Sequence, residues 1–299
     1  QNNFKRQCNK MLDKIILGTA QLGMKYGVNN YGRLNKKEVF EILDYALDNS
    51  VNCFDTAELY GDSIELIGSY IKARPERKLN IISKLDPNEK IDSDNIKAHI
   101  QNKLNVLNLD LFHGYMFHSY NNFKHNNKLY NKFKELKKVG LIKNIGISLY
   151  EISDINDVVN NYNFDFIQLP FNLLDNEKEK IKILKTAKEK QIEIHVRSIF
   201  LQGLFFKPFP NFDKKLNPLK KYIEQLKEIC VKSNTDIESL ALKYPLEKDY
   251  IDKVIFGVHN IEQFSKNINT VNSNIKLPID DIENINVEEK ELLKPYNWI

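Results

Sequence analysis

Val51-Asn-Cys-Phe-Asp55, and then Asn80-Ile-Ile-Ser-Lys84, are two short apolar runs, each closed by a charged residue. Neither alternates apolar with polar positions, which is the pattern of strands buried on both faces of a parallel sheet. Outward from this pair, similar runs recur at Ile15–Gly18, Leu111–His118, Ile142–Ser148, Phe166–Pro170, Ile192–Ser198 and Asp252–Gly257, making eight. Amphipathic stretches lie between them. Asn35 is placed to cap one, with Glu38 three residues on and Val39, Leu43, Ala46 and Leu47 on a single face. Ile96, Ile100, Leu104 and Leu107 repeat that spacing, as do Ile152, Ile155, Val158 and Val159, then Ile181, Leu184 and Ala187, then Tyr222, Leu226, Ile229 and Cys230.

Strands alternating with helices imply parallel pairing through right-handed crossovers. Eight such units predict an α/β fold, a (β/α)8 TIM barrel over residues 13–279, with an N-terminal extension (1–12) and a C-terminal tail (280–299) packing on or near the barrel. The alternative, a doubly wound open sheet, lacks its usual GxGxxG fingerprint: the first strand runs into Gly18-Thr-Ala-Gln-Leu-Gly23. A chain of 299 residues, 42% hydrophobic, suffices for one large core.

Composition removes several function classes. The net charge of +4 is mild and spread along the chain, so no nucleic-acid partner is expected. Cys8, Cys53 and Cys230 form no CxxC, which predicts a reduced, cytoplasmic setting and neither a disulfide scaffold nor a metal site. No run of about 18 apolar residues occurs, so no membrane span is expected. The first ten residues are polar and basic without an apolar core, unlike a secretory signal.

Three connections look longer than a barrel needs: Gln21–Asn35, Ser119–Asn127 and Ile199–Asn217. They follow strands one, four and seven, and therefore belong to the C-terminal face, where barrel enzymes build their sites. At that face strand two ends in Asp55 with Tyr60 just beyond, strand three in Lys84 and strand four in His118. Each residue alone has a bland reading: a cap, a packed phenol, a solvated amine, a rim imidazole. Together they form a proton-transfer set. A Lys84 ammonium would stabilise the Tyr60 phenolate and lower the phenol's pKa, Asp55 would orient the ammonium, and His118 would position a carbonyl oxygen. His99, His113, His125 and His195 read as structural or solvated, and no metal-ligand spacing stands out.

At these residues the sequence resembles the aldo-keto reductase superfamily, over about Ile15 to Asn269. Leu17-Gly-Thr-Ala-Gln-Leu-Gly23 is similar to the family's first strand and turn. Asp55-Thr-Ala-Glu-Leu-Tyr-Gly61, with Glu65 and Gly68 behind it, is similar to its most specific motif. Ser83-Lys84 and Phe117-His118 match the next two positions. The resemblance thus implies a catalytic tetrad of Asp55, Tyr60, Lys84 and His118.

It also implies a nicotinamide cofactor. Lys138-Val-Gly-Leu-Ile-Lys-Asn-Ile-Gly-Ile-Ser148 and Gln168-Leu-Pro-Phe-Asn172 resemble the fifth and sixth strands, which assigns Ser148 and Gln168 to the carboxamide. Ser198-Ile-Phe-Leu-Gln-Gly-Leu204 resembles the loop over the diphosphate, contributing Ser198, Phe200, Gln202 and Gly203. Ile255-Phe-Gly-Val-His-Asn-Ile-Glu-Gln-Phe264 resembles the adenosine end, contributing Gly257, His259, Gln263 and Asn267. Gly18, Thr19, Ala20, Asp55 and Arg197 complete the implied cofactor set. Gln21, Tyr26, Tyr60, His118 and Ser119 are the implied substrate contacts.

Three departures stand out. Leu149 follows Ser148 where many members have Asn. Arg197 replaces a Tyr that stacks on the nicotinamide. Gly257, Val258, His259 and Gln263 stand where many members have Arg or Lys. The family's habit still favours NADP(H) slightly over NAD(H), with His259, Lys253 or Lys266 to meet a 2′-phosphate.

The expected function is NAD(P)H-dependent reduction of an aldehyde, ketone or sugar carbonyl, or the reverse, with Tyr60 as general acid. Gln21, Tyr26, Asn29, Asn30, Ser119, Tyr120, Asn121 and Asn122 make the loops polar, which suggests a small, sugar-like carbonyl substrate. A cofactor-binding regulatory subunit with little turnover is the alternative, and a Lys84 Schiff-base lyase is a third reading. Monomer and homo-oligomer both remain open.

Overall fold

The computed structural model describes residues 11–28 and 32–298. Residues 1–10 of the expected N-terminal extension, Cys8 with them, lie outside the described residues, as do Asn29 and Asn30 of the first long connection. Eight strands pair in parallel in chain order and close into a barrel: β1 (Ile15–Gly18), β2 (Cys53–Asp55), β3 (Asn80–Leu85), β4 (Phe112–Phe117), β5 (Ile142–Ser148), β6 (Phe166–Pro170), β7 (Glu193–Arg197) and β8 (Lys253–Phe256). β8 returns to β1 with Ile16 opposite Ile255. The expected runs are trimmed by a residue or two at β2, β4, β7 and β8, and β3 runs one residue further. At β7 the reason is local: Ser198 takes φ 58°, which no strand can continue.

Helices wrap the barrel. They are α1 (Ala20–Gly23), α2 (Lys36–Asp48), α3 (Ser63–Ala73), α4 (Ile96–Leu107), α5 (Tyr120–His125), α6 (Asn127–Lys138), α7 (Ile152–Asn161), α8 (Lys178–Glu189), α9 (Lys220–Lys232), α10 (Ile237–Leu246), α11 (Ile261–Asn272) and α12 (Ile279–Glu283). α2 opens with the expected capping box: the Asn35 Oδ1 accepts from the Glu38 N–H at 3.1 Å, and the Glu38 carboxylate accepts from the Asn35 N–H at 2.7 Å. Val39, Ile42, Leu43 and Ala46 form its buried face, with Ile42 taking the place expected of Leu47. Val39, Ile42 and Leu43 each contribute about 1.5–3 kcal/mol by leaving water.

Two connections differ from expectation. Ser119–Asn127 is not a loop: Ser119 caps α5, its Oγ accepting from the Asn122 N–H at 3.0 Å, and Phe123 anchors the turn in the core. Ile199–Asn217 winds through three 3-10 turns (Leu201–Phe206, Phe209–Asn211 and Lys214–Leu219) before α9, and a second helix, α10, follows ahead of β8. Beyond residue 279, Ile282 and Leu293 are buried against the barrel, and 3-10 turns at Lys290–Leu293 and Pro295–Asn297 complete the segment. Among the described residues no helix is long and apolar enough to cross a membrane.

The pleat positions the chemistry. Ile16, Cys53, Ile82, Met116, Phe166 and Ile255 form an apolar cluster inside the barrel, and the Phe166 ring fills the space beside Gly114 and Gly146. One residue on, Leu17, Phe54, Phe117, Ile147, Ile167, Val196 and Phe256 join the outer core under the helices. One further, the side chains turn inward again at the C-terminal mouth. That layer reads Gly18, Asp55, Lys84, His118, Ser148, Gln168, Arg197 and Gly257, one residue from each of eight strands or its continuation.

Candidate functional site

Four of these mouth residues converge. The Lys84 ammonium, 1% exposed, donates to Asp55 Oδ1, to the Thr56 carbonyl at 3.1 Å and to the Tyr60 hydroxyl at 3.3 Å. Asp55 is held from the far side too: the Gln168 amide donates to its Oδ2 at 2.7 Å. His118 stands edge-on to Tyr60, ring centroids 6.4 Å apart, with no partner on Nδ1. Two glycines hold the loop bearing Tyr60. Gly61 takes φ 55°, and a Cβ on it would strike the Gly23 carbonyl. A Cβ on Gly23 would in turn strike the Tyr60 carbonyl. The β1 and β2 loops therefore interlock through bare backbone.

The electrostatics depart from the sequence-based expectation. Burial, and next the Asp55 carboxylate, raise the Tyr60 pKa well above that of a free phenol, with Arg197 opposing them. Lys84 was expected to lower it, but its charge is matched by Asp55, and burial lowers the pKa of Lys84 itself. Burial, then the Lys84 charge, then Arg197 depress His118 to about 4, so its imidazole is neutral at neutral pH. Burial also lifts Tyr26 to about 12.

A cavity of about 990 Å³, open solvent at its mouth included, begins at Asp55 and Tyr60 and runs between the ends of β1, β7 and β8. Of the expected residues, Gly18, Thr19, Ala20, Gln21 and Tyr26 line it from β1. Arg197, Ser198, Phe200, Gln202 and Gly203 line it after β7, and Gly257, His259, Gln263 and Asn267 after β8. The Gln21 amide covers Gly257, where a Cβ would collide with it. Gln202 reaches over to the Tyr26 hydroxyl at 3.3 Å, and its carbonyl accepts from the Val28 N–H at 3.1 Å, which ties the first loop to the seventh.

Lys84, His118, Ser148 and Gln168 are not part of the lining. Lys84 and Gln168 flank Asp55, and Ser148 sits behind Arg197, accepting from its guanidinium at 3.2 Å. Ser119, expected to meet substrate, has its hydroxyl engaged in the α5 cap, and the Tyr120 hydroxyl donates to Asp157 at 2.7 Å. The polarity of that segment therefore serves local structure.

Comparison with known proteins adds to this geometry. The model of the Aldo/keto reductase family matches residues 14–288. The chain belongs to that family. It is 26% identical over 286 residues to the uncharacterized oxidoreductase YqkF of Bacillus subtilis (strain 168), covering 87% of this chain and 91% of the relative. It is 23% identical to the NADH-specific methylglyoxal reductase of Escherichia coli (strain K12), covering 88% and 91%. The solved structure of aldo-keto reductase AKR11C1 from Bacillus halodurans, in its holo form, superposes with a TM-score of 0.76 at 21% identity, over 93% of this chain and 94% of that one; a likeness at that identity concerns the fold.

Within this aldo/keto reductase barrel, the departures acquire specific surroundings. Leu149 is fully buried, its N–H donating to the Gln168 carbonyl at 2.8 Å. The Arg197 guanidinium carbon lies 4.2 Å from the centre of the Tyr150 ring. The three groups named for a 2′-phosphate fare differently. Lys253 opens β8 at the opposite end of the barrel and donates to the Asp13 carbonyl at 2.7 Å, so that suggestion is corrected. Burial lowers the pKa of His259. Lys266 pairs with Glu238, whose own residue lines the cavity.

The sequence reading also missed a buried network beneath the Asp55–Tyr60 loop. Glu58 binds His99 Nε2 at 2.9 Å, the Tyr115 hydroxyl and the Asp86 N–H at 3.2 Å. Burial alone would raise Glu58, but His99 and Tyr115 outweigh it and hold the carboxyl below its usual range. Glu89 joins, so Glu58, Glu89 and His99 present their ligand-type atoms within 4.8 Å of one another. Both Glu58 oxygens are already hydrogen-bonded, which makes the trio a brace for the Asp55–Tyr60 loop. Gly27, Phe206 and Glu238 are further lining residues that no motif marks.

Proposed function

We propose that this family member reduces an aldehyde or ketone carbonyl, or oxidises the corresponding alcohol, with a nicotinamide dinucleotide as hydride carrier and Tyr60 as the proton donor. The observation that carries the proposal is the Tyr60 hydroxyl, 3.3 Å from Lys84 Nζ, standing at the inner end of a cavity whose other end reaches the start of α11. The lining fits an extended dinucleotide. Gly18 and Gly257 put no side chain of their own into the cavity, and the buried Asn267 Oδ1 lacks a protein partner. Gln168 Oε1 is likewise unpartnered beside the tetrad. A nicotinamide dinucleotide held by these residues would supply the hydride for the carbonyl carbon.

The protein's own groups account for the proton. Tyr60 remains a protonated phenol at neutral pH because burial and Asp55 disfavour its anion, so it is available to donate to the carbonyl oxygen as negative charge develops there. Lys84 steadies the phenol oxygen as that proton leaves, while Asp55 and Gln168 keep the ammonium in place. The neutral His118 imidazole orients the substrate oxygen. Lys84 already donates to three oxygens, and an ammonium so engaged offers no lone pair to a carbonyl, which counts against Schiff-base chemistry. Of the three groups that favoured NADP(H), Lys266 is the one remaining cation near the cavity, and it would have to leave Glu238 to meet a 2′-phosphate. Gln21, Tyr26 and Gln202 favour a polar substrate.

The test is titration with NADPH and NADH by nucleotide fluorescence, combined with turnover over sugar, aliphatic and aryl carbonyls beside Tyr60→Phe. Binding with turnover that Tyr60→Phe abolishes is the expected result. Binding without turnover by the unsubstituted protein would favour the regulatory-subunit reading, and no binding of either nucleotide would sink the proposal.

A further inference from the structure

Count the charges on the inward layer at the barrel mouth. Asp55 and Lys84 cancel in a contact pair, Tyr60 is a neutral phenol and His118 a neutral imidazole. Arg197 is left over: mostly buried, lining the cavity, and paired with no carboxylate among the described residues. Its surroundings are hydroxyls and rings. Ser148 accepts from one terminal nitrogen at 3.2 Å, Ser198 lies 3.5 Å from the other, and Tyr150 supports one face of the guanidinium. Tyr150 is itself backed by Tyr296, ring centroids 4.6 Å apart. The fork is thus fixed in orientation without being neutralised.

Holding an unpaired cation away from water is costly, and a fixed guanidinium is the side chain best shaped to take two oxygens of a carboxylate or phosphate. Glu238, the acidic residue that lines the cavity besides Asp55, pairs with Lys266. The counter-charge must therefore come with a ligand. The position selects which ligand: Arg197 lines the same cavity as Tyr60 and Tyr26 and shares its inward layer with His118, and its charge is felt by all three. We infer that Arg197 is a specificity residue that receives an oxyanionic group, carboxylate or phosphate, carried by the substrate a few bonds from its carbonyl. The inference rests on the reductase reading for the identity of the reacting group, while the anion site itself can be tested without it.

The experiment has two arms. In the first, kcat/KM is measured for matched pairs: succinate semialdehyde against butanal, and glyceraldehyde 3-phosphate against glyceraldehyde. At least one charged member should exceed its neutral partner by about 10- to 100-fold, the worth of one or two charge-assisted hydrogen bonds. Which pair shows the preference separates carboxylate from phosphate. Arg197→Gln should collapse the ratio, mainly through KM, and Arg197→Lys should restore part of it.

In the second arm, the nucleotide-saturated protein, or the bare protein if no nucleotide binds, is titrated calorimetrically with succinate and with inorganic phosphate. Binding that disappears in Arg197→Gln supports the anion site even if no carbonyl is turned over, in which case the reductase reading fails and Arg197 stands as the anion receptor alone. Neutral substrates preferred by the unsubstituted protein, a preference that survives Arg197→Gln, or an equal loss for both pair members with weakened nucleotide binding would each overturn the inference.

Discussion

Lys84 Nζ lies 3.3 Å from the Tyr60 hydroxyl, and the contact pair it makes with Asp55 governs what that proximity does to the phenol. An isolated ammonium at that distance would pull the tyrosine toward ionisation. With Asp55 beside it the fields largely cancel, and burial keeps the proton on Tyr60. The pair thus delivers a hydrogen bond to the phenol oxygen without ionising it in advance.

The carbonyl-reduction rate should therefore show no alkaline limb from Tyr60 ionisation across neutral and mildly basic pH. Asp55→Asn removes a charge that raises the phenol's pKa, so any alkaline limb should move to lower pH, while burial, the larger cause, still holds the pKa above that of a free phenol. Tyr60→Phe should lower kcat by about 10²–10⁴-fold. A pH profile of kcat/KM for the three proteins checks the sign.

His118 makes stability depend on acid. The unfolded imidazole takes its proton near pH 6.5, whereas the folded one resists until about 4. Between those values the unfolded chain binds more protons, so stability falls as pH falls and levels off below the lower value. The contribution lost is roughly 3 kcal/mol. Urea unfolding at pH 7 and pH 4 should show His118→Asn losing less stability over that interval than the parent protein.

Breaking the buried pair on one side leaves a bare charge. Lys84→Met should destabilise the barrel by about 3–5 kcal/mol, with Asp55 stranded. Adding Asp55→Asn should recover much of that loss, a strong positive coupling in a double-mutant cycle measured by chemical denaturation.

Gly23→Ala forces a methyl against the Tyr60 carbonyl. A cost of about 1–3 kcal/mol is expected from overpacking, together with a fall in kcat larger than any change in nucleotide affinity, because the displaced group belongs to the acid's loop. Gly140→Ala, at a surface turn with nothing within 4 Å of the added Cβ, is the comparison: it should lose stability through its positive φ alone and keep its kcat.

What the sequence made legible follows from range. Strands such as Ile142–Ser148 and helix faces such as Ile96, Ile100, Leu104 and Leu107 are written locally, in apolar runs and periodicity. Because the pleat repeats every second residue, the strand ends also place Asp55, Lys84 and His118 on one rim. Ser119–Asn127 misled because its Asn and Ser residues suit loops and helix caps alike, and only Phe123 entering the core decides between them. Glu58, His99 and Tyr115 come from a loop, a helix and a strand that share no motif, so their network exists only once the barrel closes. The upward shift of Tyr60 was beyond reach for a similar reason: burial is its first cause and the Asp55 charge its second, and how deeply the phenol is buried is not written in spacing.

The single-file alternation of the strands sets how this barrel can change over time. Replacing one side chain at the mouth alters the chemistry and leaves the packing beneath it intact. Losing one residue from β3 would instead bring Ser83 or Leu85 to the place of Lys84 and send the lysine into the layer under the helices. Drift in specificity is thus open to point substitution at eight rim positions and closed to insertions or deletions within the strands, which leaves length variation to the connections between them.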